Sequence, residues 1–158
     1  MFDTILGLPV HALVVHAVVV LIPLAAIGLV AIAVKPAWRR PYAPIVVGLA
    51  TAAVVLVPVA TRSGAKLLER VNAGGVVADQ IHRHQQMGKL VIWPTLAMWA
   101  LAVALMVLDR RGRPGRAVTV VAVLGVIAAI AAAAQVTITG HLGSTAVWAC
   151  TLGTSACK

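Results

Sequence analysis

The chain has 158 residues, of which 61% are hydrophobic and only 11% are charged. In soluble domains about a quarter of the residues are charged, so this composition excludes an ordinary soluble protein. The net charge of +9 does not indicate nucleic-acid binding, because most bases stand in short clusters between long apolar runs and only one Phe and one Tyr are present to stack on bases. We therefore predict no nucleic-acid partner.

Four uncharged apolar segments are long enough to cross a membrane, since a helix needs about 20 such residues to span the hydrocarbon core. They cover residues 13–34, 42–61, 90–108 and 117–139. The first ten residues do not read as a signal peptide, because they have no basic start and no cleavage site. We predict an all-α protein: one integral membrane domain over residues 1–158, with four transmembrane helices running up-down-up-down. We find no internal repeat in the letters of the sequence.

The long connection between the second and third spans has a pattern of its own. Ser63–Val71 places charged residues against leucines and a valine, which predicts a short amphipathic helix lying along the membrane surface. The Asn72-Ala73-Gly74-Gly75 segment that follows predicts its end.

The basic residues are distributed unevenly among the connections. The two short connections hold seven of them: Lys35, Arg39, Arg40, Arg110, Arg111, Arg113 and Arg116. Because basic loops stay in the cytoplasm, we predict a multi-pass protein of the cytoplasmic membrane with both termini outside.

The five histidines carry most of the chemical information. Measured by helix rise, His11, His16, His82, His84 and His141 all fall near the predicted outer ends of the spans. His16 is the deepest, and a polar side chain at membrane depth usually has a partner. His84 has Gly88 one turn below it on the same face, which leaves room for a flat ligand.

Neutral imidazole is a common ligand of metal ions and of haem iron. We rank His16, His84 and His141 as the first candidate ligands. His11 lies further out and points about 140° away from His16, so we expect it near a haem propionate or a second site; His82 we take as solvated. The chain has four acidic residues and none in a span, which disfavours carboxylate-bridged metal sites. Haem b is the first cofactor hypothesis, and copper or zinc bound by the same histidines is the second.

The only two cysteines, Cys150 and Cys157, lie in the C-terminal tail. If this tail is outside the cell, the oxidising environment favours a disulfide between them.

The segment Leu8-Pro9-Val10-His11-Ala12-Leu13-Val14-Val15-His16 resembles the start of a bacterial family of four-helix membrane proteins of unknown function, whose first helix opens with Leu-His-Pro-x-x-Val-His. His84-Gln85-Gln86-Met87-Gly88 and Gly140-His141-Leu142-Gly143 resemble two later segments of that family. Ala12 departs from the pattern, where a proline is usual. The family resembles small membrane b-type cytochromes in its layout, which implies redox chemistry near the outer surface.

Three functions are therefore open. The first is a b-type haem protein that transfers electrons in or beside a respiratory complex, with other membrane redox subunits as partners; an electron carrier is favoured over a stand-alone enzyme. The second is a copper- or zinc-binding membrane protein. The third is an accessory or assembly subunit of a larger membrane complex, since Ala- and Gly-rich spans suit close helix packing with a partner.

Overall fold

A computed structural model describes residues 4–5, 7–69, 75–112, 115–148 and 152 of the chain. Two short strands, β1 (Thr4–Ile5) and β2 (Leu8–Pro9), pair in an antiparallel fashion before the first helix. Most of the rest of the described chain forms five α-helices: α1 (Val10–Val34), α2 (Arg39–Leu68), α3 (Gly75–Leu90), α4 (Ile92–Arg110) and α5 (Arg116–Trp148). A short 3-10 helix, Pro36–Trp38, lies between α1 and α2.

Four helical stretches are long and apolar enough to cross a membrane: Val10–Val34, Pro36–Leu68, Val76–Arg110 and Arg116–Trp148. They are apolar on the outside as well as in the core, and isoleucines such as Ile27, Ile45 and Ile130 are about 60% exposed. Helices that are hydrophobic all round belong in a membrane or a large core, and a chain of this size offers no large core. The prediction of an all-α protein with four long membrane helices is confirmed.

The helices pack as a ring in which α1 contacts α2 and α5, and α4 contacts the same two helices. Neighbours in the ring run antiparallel. For α1 and α2, His11 lies beside Ala60 at one end and Gly28 lies against Val46 toward the other. The buried surfaces are rich in alanine, so the helix backbones approach closely. We call the end of the bundle that holds the start of α1 and the end of α5 the histidine end, and the opposite end the basic end.

A turn at Val91 separates α3 from α4, although the two form one membrane-length segment. Pro94 has no backbone N–H to donate to the preceding turn, so the Leu90 carbonyl lacks its usual helical donor at this point, although Pro23, Pro44 and Pro58 lie inside unbroken helices. The buried Thr95 hydroxyl donates a 2.7 Å hydrogen bond to the Val91 carbonyl oxygen and stabilises the turn.

Two sequence expectations about helix ends differ from the structure. Ser63–Val71 was expected to form a separate surface helix, but α2 continues without a break through Leu68, because nothing between Thr61 and Leu68 forces the chain to stop. The fourth span was predicted to end at Thr139, yet α5 continues through Gly140 and Gly143 to Trp148.

At the basic end, Arg39 joins the first two membrane helices to α4. Its guanidinium donates hydrogen bonds to the carbonyl oxygens of Ile32 (3.0 Å) and Ala33 (3.1 Å) in the last turn of α1. The same group lies 3.9 Å from the carboxylate of Asp109. A cation at a helix C-terminus satisfies carbonyls that have no partner within the helix.

Candidate histidine site

His11 of α1 and His84 of α3 come together at the histidine end. Their ring centroids are 6.2 Å apart and the ring planes are inclined to each other by 74°. Both side chains are half-buried. Two histidines that are 73 residues apart in the sequence therefore share one location between the helices.

A backbone hydrogen bond holds the imidazole of His11. Its Nδ1 lies 2.9 Å from the carbonyl oxygen of Ala60 in α2. Because a carbonyl oxygen only accepts hydrogen bonds, Nδ1 must carry the proton. In the neutral ring, Nε2 then has a free lone pair, which is the state in which histidine binds a metal.

His84 is held in the same way on the other side of the site. Its Nδ1 lies 2.9 Å from the carbonyl oxygen of Thr139 in α5, so the same tautomer follows and Nε2 is again the free nitrogen. Metal-binding histidines nearly always donate their other ring N–H to a carbonyl or a carboxylate, which fixes the ring and raises its basicity.

A glycine packs against each imidazole. A Cβ atom added to Gly64 would lie 2.8 Å from Cε1 of His11, and one added to Gly143 would lie 2.9 Å from Cε1 of His84. Gly64 is one turn beyond Ala60 on α2, and Gly143 is one turn beyond Thr139 on α5. In each case the helix that accepts the hydrogen bond also provides, through glycine, the space that the ring occupies.

The helical register explains why these two histidines face inward. Every seventh residue of a helix lies on nearly the same face, and each histidine begins such a series of buried residues. The two series are Val18, Ala25 and Ile32 after His11, and Val91, Met98 and Leu105 after His84.

The other histidines lie elsewhere. The side chain of His16 is exposed, and its Nδ1 is hydrogen-bonded to the carbonyl oxygen of Ala12 in its own helix. His82 and His141 are also exposed. Within the part of the chain that the structure describes, no group of three or more His, Cys, Asp or Glu residues is placed to hold a metal ion, so His16, His84 and His141 are not brought together.

The surroundings of Gly88 also differ from the prediction, which was open space for a flat ligand below His84. A Cβ atom there would lie 3.9 Å from Cγ2 of Thr139, so Gly88 lies at the contact between α3 and α5. Cys150 and Cys157 lie outside the described residues.

The ranking of candidate residues from the sequence differs most at His11, which was given a secondary role and forms half of the pair. The sequence did not indicate that Ala60, Gly64 and Thr139 contact the two imidazoles. The seven-residue series of buried positions was present in the sequence and would have placed His11, not His16, on the inward face.

The pair offers two imidazoles whose Nδ1 atoms are both engaged by backbone carbonyls, which leaves Nε2 of each ring as the nitrogen available to a ligand. Two imidazoles bound on opposite sides of one metal ion, with metal–nitrogen bonds of about 2.0 Å, have ring centroids roughly 6 Å apart. The observed 6.2 Å matches this spacing. His11 and His84 are therefore the residues that would hold a haem iron in this chain, and the haem would supply one-electron redox chemistry.

No curated protein and no solved structure matches the chain. A family described as "Predicted membrane protein (DUF2231)" matches over residues 7–156, which includes all five helices and both histidines of the pair. The chain belongs to this DUF2231 family of membrane proteins.

Proposed function

We propose that the protein is a membrane b-type haem protein whose iron is held by His11 and His84, and that it transfers electrons to or from a redox partner at the histidine end. The observation that carries this proposal is the pair itself. The two imidazole ring centroids are 6.2 Å apart, and the Nδ1–H of each ring donates a hydrogen bond to a backbone carbonyl of a neighbouring helix. When bound, haem supplies a one-electron carrier.

The residues of the chain have three tasks in this function. The Ala60 and Thr139 carbonyls keep the two imidazoles in the tautomer whose Nε2 is a ligand. The packing of α1 on α2 and of α3 on α5 sets the distance between the rings. The half-buried position of both histidines limits the access of water while leaving the site near one end of the bundle, where a partner can approach.

Copper or zinc on the same histidines is the competing assignment. A structural zinc site takes four protein ligands, whereas haem iron needs two because the porphyrin provides the other four. A pair of imidazoles therefore supports haem better than zinc. Assembly or accessory function without a cofactor is the remaining alternative.

Absorption spectra of the purified full-length protein test the proposal. We expect a Soret band in the wild type, and its loss in the single variants His11→Ala and His84→Ala because each removes one iron ligand. His16→Ala, His82→Ala and His141→Ala are matched controls, since these side chains are exposed, and should keep the spectrum.

A rescue experiment separates lost ligation from lost folding. His11→Gly and His84→Gly should regain the wild-type spectrum when imidazole is added, because free imidazole can fill the vacated ligand position. A wild-type protein without haem overturns the proposal, and stoichiometric copper or zinc in that protein would favour the metal alternative. Unchanged spectra in the His11 and His84 variants overturn the assignment of the ligands.

A further inference from the structure

The buried positions of the chain repeat, although its letters do not. Adding 73 to the residue number takes five of the six buried residues of α1 to buried residues of the α3–α4 segment; the sixth, Ala26, corresponds to the partly buried Trp99. Adding 79 takes all six buried residues of α2 to buried residues of α5. The first shift pairs these buried residues: Val18 with Val91, Ile22 with Thr95, Ala25 with Met98, Leu29 with Ala102, and Ile32 with Leu105. The second pairs Ala43 with Ala122, Val46 with Gly125, Ala50 with Ala129, Ala53 with Ala132, Val57 with Val136, and Ala60 with Thr139.

Matched cores alone are weak evidence, because any two helices with heptad spacing agree at about one shift in seven. The histidine pair provides an independent test of the same shifts. His84 follows His11 by 73 residues, and Gly143 follows Gly64 by 79. The shifts that superpose the cores therefore also superpose the two histidines and the glycines against them.

The contacts between helices follow the same correspondence. If α1 corresponds to the α3–α4 segment and α2 corresponds to α5, then the contact of α1 with α5 corresponds to the contact of α4 with α2. Both contacts are present. The two halves of the bundle are thus related by an approximate two-fold axis. For helices that correspond in this way and run in the same direction, such an axis would run along the bundle between His11 and His84.

The surroundings of the two rings agree in atomic detail. A Cβ atom on Gly64 would lie 2.8, 3.0 and 3.5 Å from Cε1, Nδ1 and Nε2 of His11. A Cβ atom on Gly143 would lie 2.9, 3.0 and 3.5 Å from the same three atoms of His84. Each glycine therefore packs on the same edge of its ring, beside the nitrogen that donates to the carbonyl.

We propose that Gly64 and Gly143 are equivalent positioning residues, each of which sets the orientation of one of the two imidazoles that would hold the haem. This inference rests on the proposed haem function. A methyl group at either position would press on Cε1 and Nδ1 at once. Since the ring is tied to a backbone carbonyl, it can only tilt, which lengthens that hydrogen bond and moves Nε2.

The test compares Gly64→Ala and Gly143→Ala with Gly48→Ala on α2 and Gly140→Ala on α5. An added Cβ at Gly48 or Gly140 meets nothing within 4 Å, and all four variants gain the same helix propensity. Haem affinity is measured by transfer to apomyoglobin. The angle between the imidazole planes is followed through the g-values of the oxidised low-spin haem in electron paramagnetic resonance.

We expect each of the two test variants to weaken haem binding by about tenfold or more, as changes around metal-bound histidines commonly do, and to shift the g-values by similar amounts. The two controls should match the wild type. Test variants that behave like the controls overturn the inference, and an effect at one glycine alone overturns their equivalence. A wild-type protein that lacks haem shows instead that the proposed function has failed.

Discussion

A single hydroxyl group joins two membrane helices in the middle of the bundle. The indole N–H of Trp99 in α4 donates a 2.9 Å hydrogen bond to Oγ1 of Thr51 in α2. The same hydroxyl donates to the carbonyl oxygen of Val47 in its own helix. In lipid, where no water can replace a lost partner, such a contact between helices orients the pair.

We expect Thr51→Val to lower the free energy of unfolding by about 0.5–1.5 kcal/mol, because the substitution keeps the shape and leaves the indole N–H without its acceptor. Thr137→Val is the control, since among the described residues the Thr137 hydroxyl bonds only to the Ala133 carbonyl of its own helix. Reversible unfolding in mixed micelles measures both variants. Equal stability of the two variants would show that the Trp99 contact contributes nothing.

The difference between His11 and His16 is also decided residue by residue. Depth in the membrane suggested that His16 needs a partner, and its partner is the carbonyl of Ala12 one turn back in its own helix. His11 is nearer the helix end but lies on the buried face. Rotation about the helix axis, not depth along it, therefore determined which histidine meets His84.

At the scale of whole helices, the bundle depends on how closely α1 approaches its two neighbours. A Cβ atom on Gly28 would lie 2.8 Å from Cγ2 of Val46, a side chain with little freedom to move. The contact of α5 with α1 is looser, since a Cβ atom on Gly125 would lie 3.5 Å from the nearest Leu29 atom.

Gly28→Ala and Gly125→Ala should therefore have opposite outcomes. The first forces α1 away from α2 and should destabilise the protein by about 1–3 kcal/mol. The second adds an ordinary contact and helix propensity, and should be neutral or slightly stabilising. Thermal unfolding in detergent compares the two directly, and a destabilised Gly125→Ala with an unaffected Gly28→Ala would contradict the packing described.

The existence of the helices could be predicted from the sequence because charge-free apolar runs of this length have few other structures in a membrane. Their ends could not, since residues 61–68 and 140–148 carry polar side chains that suit either a helix end or its continuation beyond the membrane. The repeat is not visible in the sequence either, because residues at corresponding core positions, such as Leu29 and Ala102 or Val46 and Gly125, differ in size.

The candidate site shows the same limit at the scale of the whole molecule. The sequence predicted a histidine site at one end of the bundle and included both His11 and His84 among its candidates. It did not reveal that backbone carbonyls of α2 and α5 fix the two rings. Every peptide unit has a carbonyl, so only the packing of four segments shows which two are used.

The molecule has two chemically different ends. The histidine pair lies at one end, and the described parts of the two short connections lie at the other. In the sequence these two connections hold Lys35, Arg39, Arg40, Arg110, Arg111, Arg113 and Arg116. The positive-inside rule acts most strongly on short loops close to the spans. We therefore propose that the basic end is cytoplasmic and that the histidine pair faces the outer side of the membrane.

Single cysteines introduced into a Cys150→Ser and Cys157→Ser background test this orientation. Val76→Cys lies at an exposed position of the histidine end, and Ala37→Cys lies at an exposed position of the first short connection. Because a membrane-impermeant maleimide reaches only the outer side of intact cells, we expect it to label Val76→Cys in intact cells and Ala37→Cys only after lysis. The reverse pattern would place the histidine pair on the cytoplasmic side, and its redox partner with it. Labelling of both positions in intact cells, with a cytoplasmic control protein unlabelled, would mean that the seven bases do not fix a single orientation.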